Sequence, residues 1–244
     1  MEVLSSRPTV HPAEWTPERV RSFWDNFSET PTLQRHYFSG GHGAGILESI
    51  DRLSPLSGCV LDYGCGRGDF LELLCARGLT CLGSDSSSQS VQSTGARLAG
   101  RPGFLGAFVA GSPLPKTPDV ITLVEVVEHL PPEALPGFLA SVASLLSPGG
   151  KLLTTSPHRE DLLAAEVLCP ECACLFHPSQ HQASIDPEVM ERAAAKAGLR
   201  LVGAWPTLFR RNSDKSLRTR MRAQVVERVL HKSAPHLLCA LQKP

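Results

Sequence analysis

Short apolar runs alternate along the chain with stretches in which apolar residues recur every three or four positions. The runs fall at residues 59–63, 79–85, 104–109, 119–124, 151–155, 199–205 and 236–241. Most are near-continuous rather than alternating, as in Val120-Ile121-Thr122-Leu123-Val124, which suits strands of a parallel sheet covered on both faces. Helical spacing fills the intervals at 69–77, 86–98, 132–146 and 187–197, the last capped by Asp186, and Ser147-Pro148-Gly149-Gly150 is a stop signal. Strand and helix in alternation predict an α/β fold with a doubly wound sheet.

Upstream, residues 1–13 carry no periodicity and read as a loose lead-in. Thr16 and Pro17 then start a helix, as N-cap and first helical residue, that places Val20, Phe23, Trp24 and Phe27 on one face. That face either covers a sheet edge or forms a lid. Tyr37 to Gly43 is aromatic and glycine-rich and reads as a loop, followed by a short helix at 46–53. Near the other end, Leu217, Met221, Val225 and Val229 recur every four residues inside a stretch, 206–234, that reads as an amphipathic insertion between the last two strands.

Composition adds bounds. A length of 244 residues, 42% of them hydrophobic, accommodates one large domain with decorations. No run reaches the roughly eighteen apolar residues of a membrane span, and no basic-then-apolar layout marks the N-terminus, so the expected compartment is the cytoplasm. Four of the eight cysteines, Cys59, Cys65, Cys75 and Cys81, sit among apolar residues and read as small buried side chains in a reducing compartment. The balance of 24 basic and 24 acidic residues hides an excess of six positive charges within 206–234, from Arg210, Arg211, Lys215, Arg218, Arg220, Arg222, Arg228 and Lys232 against Asp214 and Glu227. Such a stretch is either a solvated helix face or a phosphate-contacting surface for nucleic acid.

The densest chemical signal is Val60-Leu61-Asp62-Tyr63-Gly64-Cys65-Gly66-Arg67-Gly68-Asp69-Phe70. A strand ends in a loop with glycines at alternate positions, and the helix behind it points free N–H groups and the positive end of its dipole at the loop's occupant. No Lys-Ser/Thr follows the glycines, which argues against a nucleoside triphosphate, and the spacing is not the G-x-G-x-x-G of dinucleotide enzymes.

This pattern resembles the first motif of the class I S-adenosylmethionine-dependent methyltransferases at Asp62, Gly64, Gly66 and Gly68. The resemblance implies a Rossmann-like sheet of seven strands with the terminal strand antiparallel. It also implies S-adenosylmethionine as cofactor, held by those four residues, by Asp85 on the ribose hydroxyls and, by position, by Ser112 and Glu125. Residues 1–54 then form a cap or lid segment, and 55–244 the methyltransferase domain, with a Cys/His insertion at 158–185 and the basic insertion at 206–234.

After the fourth strand comes Glu125-Val126-Val127-Glu128-His129. Two carboxylates and an imidazole at these spacings meet if the chain turns helical there, and they suit a divalent ion or general-base work on a hydroxyl. The string is similar to the metal motif of small-RNA 2′-O-methyltransferases, which act on the 3′-terminal ribose, with His181 in a comparable place for the further histidine. It is similar also to ubiquinone-pathway O-methyltransferases. Cys169, Cys172, Cys174 and His177, with His181 nearby, form a second cluster readable as a structural zinc site, a metal-free loop or reactive cysteines. The expected activity is O-methylation of a small-molecule or glycan hydroxyl, metal-assisted through Zn, Mg or Mn. The alternatives are metal-dependent 2′-O-methylation of small RNA and a cofactor-binding regulatory protein without turnover.

Overall fold

The computed structural model describes residues 8–213 and 234–244. In chain order the elements are β1 (His11–Pro12), α1 (Pro17–Glu29), α2 (Pro31–Gln34), α3 (Phe38–Leu53), β2 (Cys59–Tyr63), α4 (Asp69–Ala76), β3 (Thr80–Asp85), α5 (Ser88–Leu98), β4 (Phe104–Val109) and β5 (Val120–Val124). A 3₁₀ turn, Val127–His129, leads to α6 (Leu135–Ser144) and β6 (Lys151–Pro157), and a second, Leu163–Ala165, to β7 (Val167–Leu168), β8 (Cys174–Phe176), α7 (Pro187–Lys196), β9 (Arg200–Thr207) and β10 (His236–Gln242).

The seven expected strands form one sheet in the order β4-β3-β2-β5-β6-β10-β9. β2 to β6 are mutually parallel, whereas β10 runs antiparallel to both β6 and β9. Alternate residues of each strand feed opposite layers, because successive side chains leave opposite faces of a sheet. Leu61, Ile121, Leu123 and Leu152 pack with Leu139 of α6 and Met190 of α7. Val60, Val120, Leu153 and Leu238 pack on the other side with Ile46 and Ile50 of α3 and Phe70 and Leu74 of α4. Both faces are therefore buried, which is why the strands read as continuous apolar runs.

Three expectations need correction. The glycine-rich stretch 37–43 is not a loop: from Phe38 onward it is the first part of α3, which runs on to Leu53. Its glycines serve close packing, since a Cβ at Gly43 would lie 2.9 Å from Leu73 Cδ1, and one at Gly45 2.3 Å from the Arg210 carbonyl oxygen. The lead-in is not wholly unstructured, because His11 and Pro12 pair in parallel with Cys174 and Leu175 and complete a small sheet with the β7–β8 hairpin. The helix expected at 132–146 spans only Leu135–Ser144. Of the basic stretch, residues 214–233, including the expected amphipathic helix, lie outside the described residues.

Candidate active site

At the carboxyl edge of the sheet, β2 gives way to the glycine loop. Gly64, Gly66 and Gly68 have φ of +83°, +50° and +75°, the left-handed region that side-chain-bearing residues rarely adopt. Gly64 and Cys65 donate their N–H groups to the Ser84 carbonyl, and Gly66 N–H donates to Asp85 Oδ2 at 2.8 Å. The other Asp85 oxygen accepts from Ser87 N–H at 2.9 Å, and burial holds this carboxyl above the usual carboxylate range. Asp85 is thus fixed at the tip of β3, against the loop. Asp62 is turned away to β5, where it accepts from the Thr122 hydroxyl at 2.7 Å. Burial pushes its pKa up to about 7. Ser112 lies half-buried in the turn after β4, its N–H donating to the Val109 carbonyl.

The second group follows β5. Glu125 has φ of +53°, so the chain bends there before the 3₁₀ turn begins. Its Oε1 accepts from the Thr155 hydroxyl at 2.9 Å, and Oε2 lies 4.0 Å from His236 Nδ1. Burial raises its pKa to about 8. The bend sends the next side chains elsewhere: ligand atoms of Glu128, His129 and His181 all lie within 4.8 Å of one another. Glu128 is wholly buried, and neither of its carboxylate oxygens, nor His129 Nδ1, has a hydrogen-bond partner among the described residues. Burial, and then the neighbouring Glu125, push the Glu128 pKa well up; burial, and then His181, bring that of His129 down to about 3. Glu125 lies near enough to raise the Glu128 pKa but contributes none of the ligand atoms within 4.8 Å of one another, where the expectation had all three motif residues converge with His181.

The N-terminal helices cover both groups. The Tyr37 ring lies across Gly66, where a Cβ would come within 2.9 Å of its Cε1. The Tyr37 hydroxyl is 2.8 Å from Ser28 Oγ, itself 3.0 Å from Ser90 Oγ. Further along α1, the Trp24 ring meets the His129 ring edge to face at 4.8 Å. Trp24 Nε1–H donates to Gln180 Oε1 at 2.9 Å, and Gln180 Nε2 donates to the His129 carbonyl at 3.1 Å.

A methyltransferase-domain family matches residues 35–204, which takes in the glycine loop, Asp85 and the Glu128 group. The chain belongs to the class I S-adenosylmethionine-dependent methyltransferases. Among curated relatives of this methyltransferase, the ubiquinone biosynthesis O-methyltransferase of Paracidovorax citrulli is 32% identical over 166 residues, 64% of this chain and 66% of that protein. The mitochondrial one of Schizosaccharomyces pombe is 33% identical over 106 residues, 41% of this chain and 38% of that protein. The matched region thus spans less than two thirds of either relative's length. Solved structures share the fold: an S-adenosylmethionine-dependent methyltransferase from Clostridium acetobutylicum has a TM-score of 0.58 at 12% identity, over 92% of this chain and 98% of that one. The [4+2]-cyclase SpnF has a TM-score of 0.61 at 14% identity, over 97% and 99%. A cyclase on the same fold shows that the reaction must be argued from side chains. No helix among the described residues is long and apolar enough to cross a membrane.

The cysteine cluster is divided in this methyltransferase. Cys169 and Cys174 flank the turn of the β7–β8 hairpin, with Cys169 N–H donating to the Cys174 carbonyl, and Cys172 is exposed within the turn. His177, expected with them, instead lies 3.4 Å from Glu160 and stacks on His181 at 4.3 Å. The sequence reading missed Glu160 and Gln180. Glu160 precedes His181 by 21 residues, outside any motif, while Gln180 was hidden inside the Phe176-His177-Pro178-Ser179-Gln180-His181 string.

The Trp24 contact yields a prediction. Trp24→Phe keeps a ring against His129 but leaves buried Gln180 Oε1 without its donor, a cost of about 1–3 kcal/mol. The melting temperature is expected to fall by about 2–12 °C, with faster proteolysis between residues 13 and 37. An unchanged melting curve and digestion pattern would show that this bond does not hold α1 down.

Proposed function

We propose that this chain transfers the methyl group of S-adenosylmethionine to a hydroxyl of a small-molecule or glycan acceptor, with Glu128, His129 and His181 holding a divalent ion on the acceptor side. One observation carries the metal-assisted form. A carboxylate with both oxygens unpartnered and an imidazole with a free buried nitrogen converge with a second imidazole within 4.8 Å. Buried polar groups without partners are costly, and a cation would satisfy these together. One carboxylate and two imidazoles suit zinc or manganese better than magnesium, which prefers oxygen.

In this reading the glycine loop lets the cofactor approach the backbone, Asp85 accepts from its ribose hydroxyls, and Ser112 lies on the adenine side. Glu125 belongs to the cofactor side, because its neighbour Val126 already touches the loop: a Cβ at Gly64 would sit 2.6 Å from Val126 Cγ2. The segment 1–54 acts as the lid, through Tyr37 at the loop and Trp24 at His129. The cofactor supplies a methyl group already activated on a sulfonium, so the residues need only bring the hydroxyl into line and remove its proton. A bound divalent ion lowers the pKa of a coordinated hydroxyl. Oxygen as acceptor atom is favoured by the relatives, which are named O-methyltransferases.

The test is methyl transfer from labelled S-adenosylmethionine to a panel of aromatic hydroxyls, sugar hydroxyls and RNA oligonucleotides with free or blocked 3′ ends. Turnover on a hydroxyl of the first two classes is expected to fall at least about tenfold with chelator and to return with zinc or manganese. Chelator-resistant turnover would overturn the metal reading, and methylation confined to free RNA 3′ ends would overturn the acceptor class.

A further inference from the structure

We propose that Glu160 and His177 form a positioning pair that fixes the tautomer of His181 and presents its Nε2 lone pair to Glu128 and His129. The inference rests on the site reading above, but its central observable does not. His177 Nδ1 accepts two backbone N–H groups, from Ser179 at 3.2 Å and from His181 at 3.3 Å. A ring nitrogen that accepts carries no proton, so the proton of neutral His177 is on Nε2, 3.4 Å from Glu160 Oε1. The other carboxylate oxygen, Oε2, lies 2.6 Å from His181 Nδ1. An ionised carboxylate only accepts, so His181 Nδ1 carries the hydrogen, and in the neutral ring the lone pair is on Nε2. The two imidazole rings stack at 4.3 Å with 14° between their planes, which keeps both edges facing Glu160.

The same assignment excludes a competing use of these residues. Ligand atoms of Glu160, His177 and His181 also fall within 4.8 Å of one another, as for a second metal site. A cation there would need a lone pair on His177 Nε2, and the two backbone N–H groups that His177 Nδ1 accepts keep the ring's proton on Nε2. The arrangement is instead that of a carboxylate orienting a histidine from behind, which sets ring angle and basicity.

The direct test is ¹⁵N NMR of histidine-labelled, metal-stripped full chain at neutral pH. Wild type is expected to show His181 as the Nδ1–H tautomer. Glu160→Ala is expected to move it toward Nε2–H or a mixture, and Glu160→Asp to restore it. Affinity for S-adenosylmethionine, the check on folding, should stay within about twofold, while kcat for methyl transfer in Glu160→Ala falls about 10–100-fold with little change in the cofactor KM. An Nε2–H tautomer in wild type, or a tautomer indifferent to Glu160→Ala, overturns the proposal. Loss of chelator sensitivity in the activity assay would bear on the metal reading alone, so the two failures are separable.

Discussion

Gly66→Val is expected to lower affinity for S-adenosylmethionine about 100-fold or more while leaving the sheet folded. Three effects add at this position. The backbone sits at φ of +50°, where a β-branched residue costs about 1–3 kcal/mol. The new Cβ would stand 2.9 Å from Tyr37 Cε1, so the aromatic that lies across the loop must shift. Distortion would also break the Gly66 N–H bond to Asp85 Oδ2, a hydrogen bond to a carboxylate of about 1.5–3 kcal/mol. About 3 kcal/mol in total corresponds to the stated factor. Asp85→Ala should cost at least about tenfold to 100-fold, through the lost ribose contact and the loss of the acceptor for Gly66 N–H, without placing a side chain against Tyr37. Titration calorimetry measures both, with circular dichroism to confirm that each variant is folded. Near wild-type affinity in both would remove the cofactor from this loop.

The strands and the glycine loop were legible because their signals are local: continuous apolar runs report two covered faces, and glycines at alternate positions report a backbone that side-chain-bearing residues rarely adopt. The antiparallel placement of β10 came from family resemblance, not from spacing. What escaped depended on contacts distant in sequence. α3 extends through Gly40, Gly41, Gly43 and Gly45, against helix propensity, because packing on Leu73 and the Arg210 backbone rewards the missing side chains. Glu125 was grouped with Glu128 and His129 on the premise of a helical face, and its positive φ breaks that premise. His177 was assigned to the cysteines by proximity in sequence, but the Gln180 turn, also at positive φ, folds the segment back so that its imidazole reaches Glu160. Trp24 was legible as part of an apolar helix face, but its bond to Gln180, 156 residues away, was not.

Asp62 is expected to contribute to a loss of stability of the ligand-free protein as pH rises. Glu125 and Glu128, also raised by burial, share that loss, and Asp62→Asn is expected to remove the Asp62 part of it. An unfolded aspartate ionises near pH 4, whereas in the fold Asp62 is 2% exposed and titrates at about 7. Burial is the main cause, and the hydrogen bond from Thr122 only partly opposes it. Between those two values the unfolded chain has released the proton and the folded chain still holds it. The stabilisation is therefore complete below about pH 4, drains away as pH rises to about 7, and is flat beyond. Three pH units correspond to a ceiling of about 4 kcal/mol. Asparagine keeps an oxygen for the Thr122 hydroxyl and cannot ionise. The stability difference between variant and wild type should therefore grow from near zero at pH 4 to about 2–4 kcal/mol in favour of the variant at pH 8. Urea unfolding of both proteins across that range is the measurement, and a difference independent of pH would show that Asp62 is ionised throughout. The same residue then links fold to ligand. A cationic cofactor in the adjoining loop favours the charged carboxylate, so binding near pH 6.5 should release a proton from wild type that Asp62→Asn cannot release, read as a dependence of the binding enthalpy on the buffer's ionisation heat.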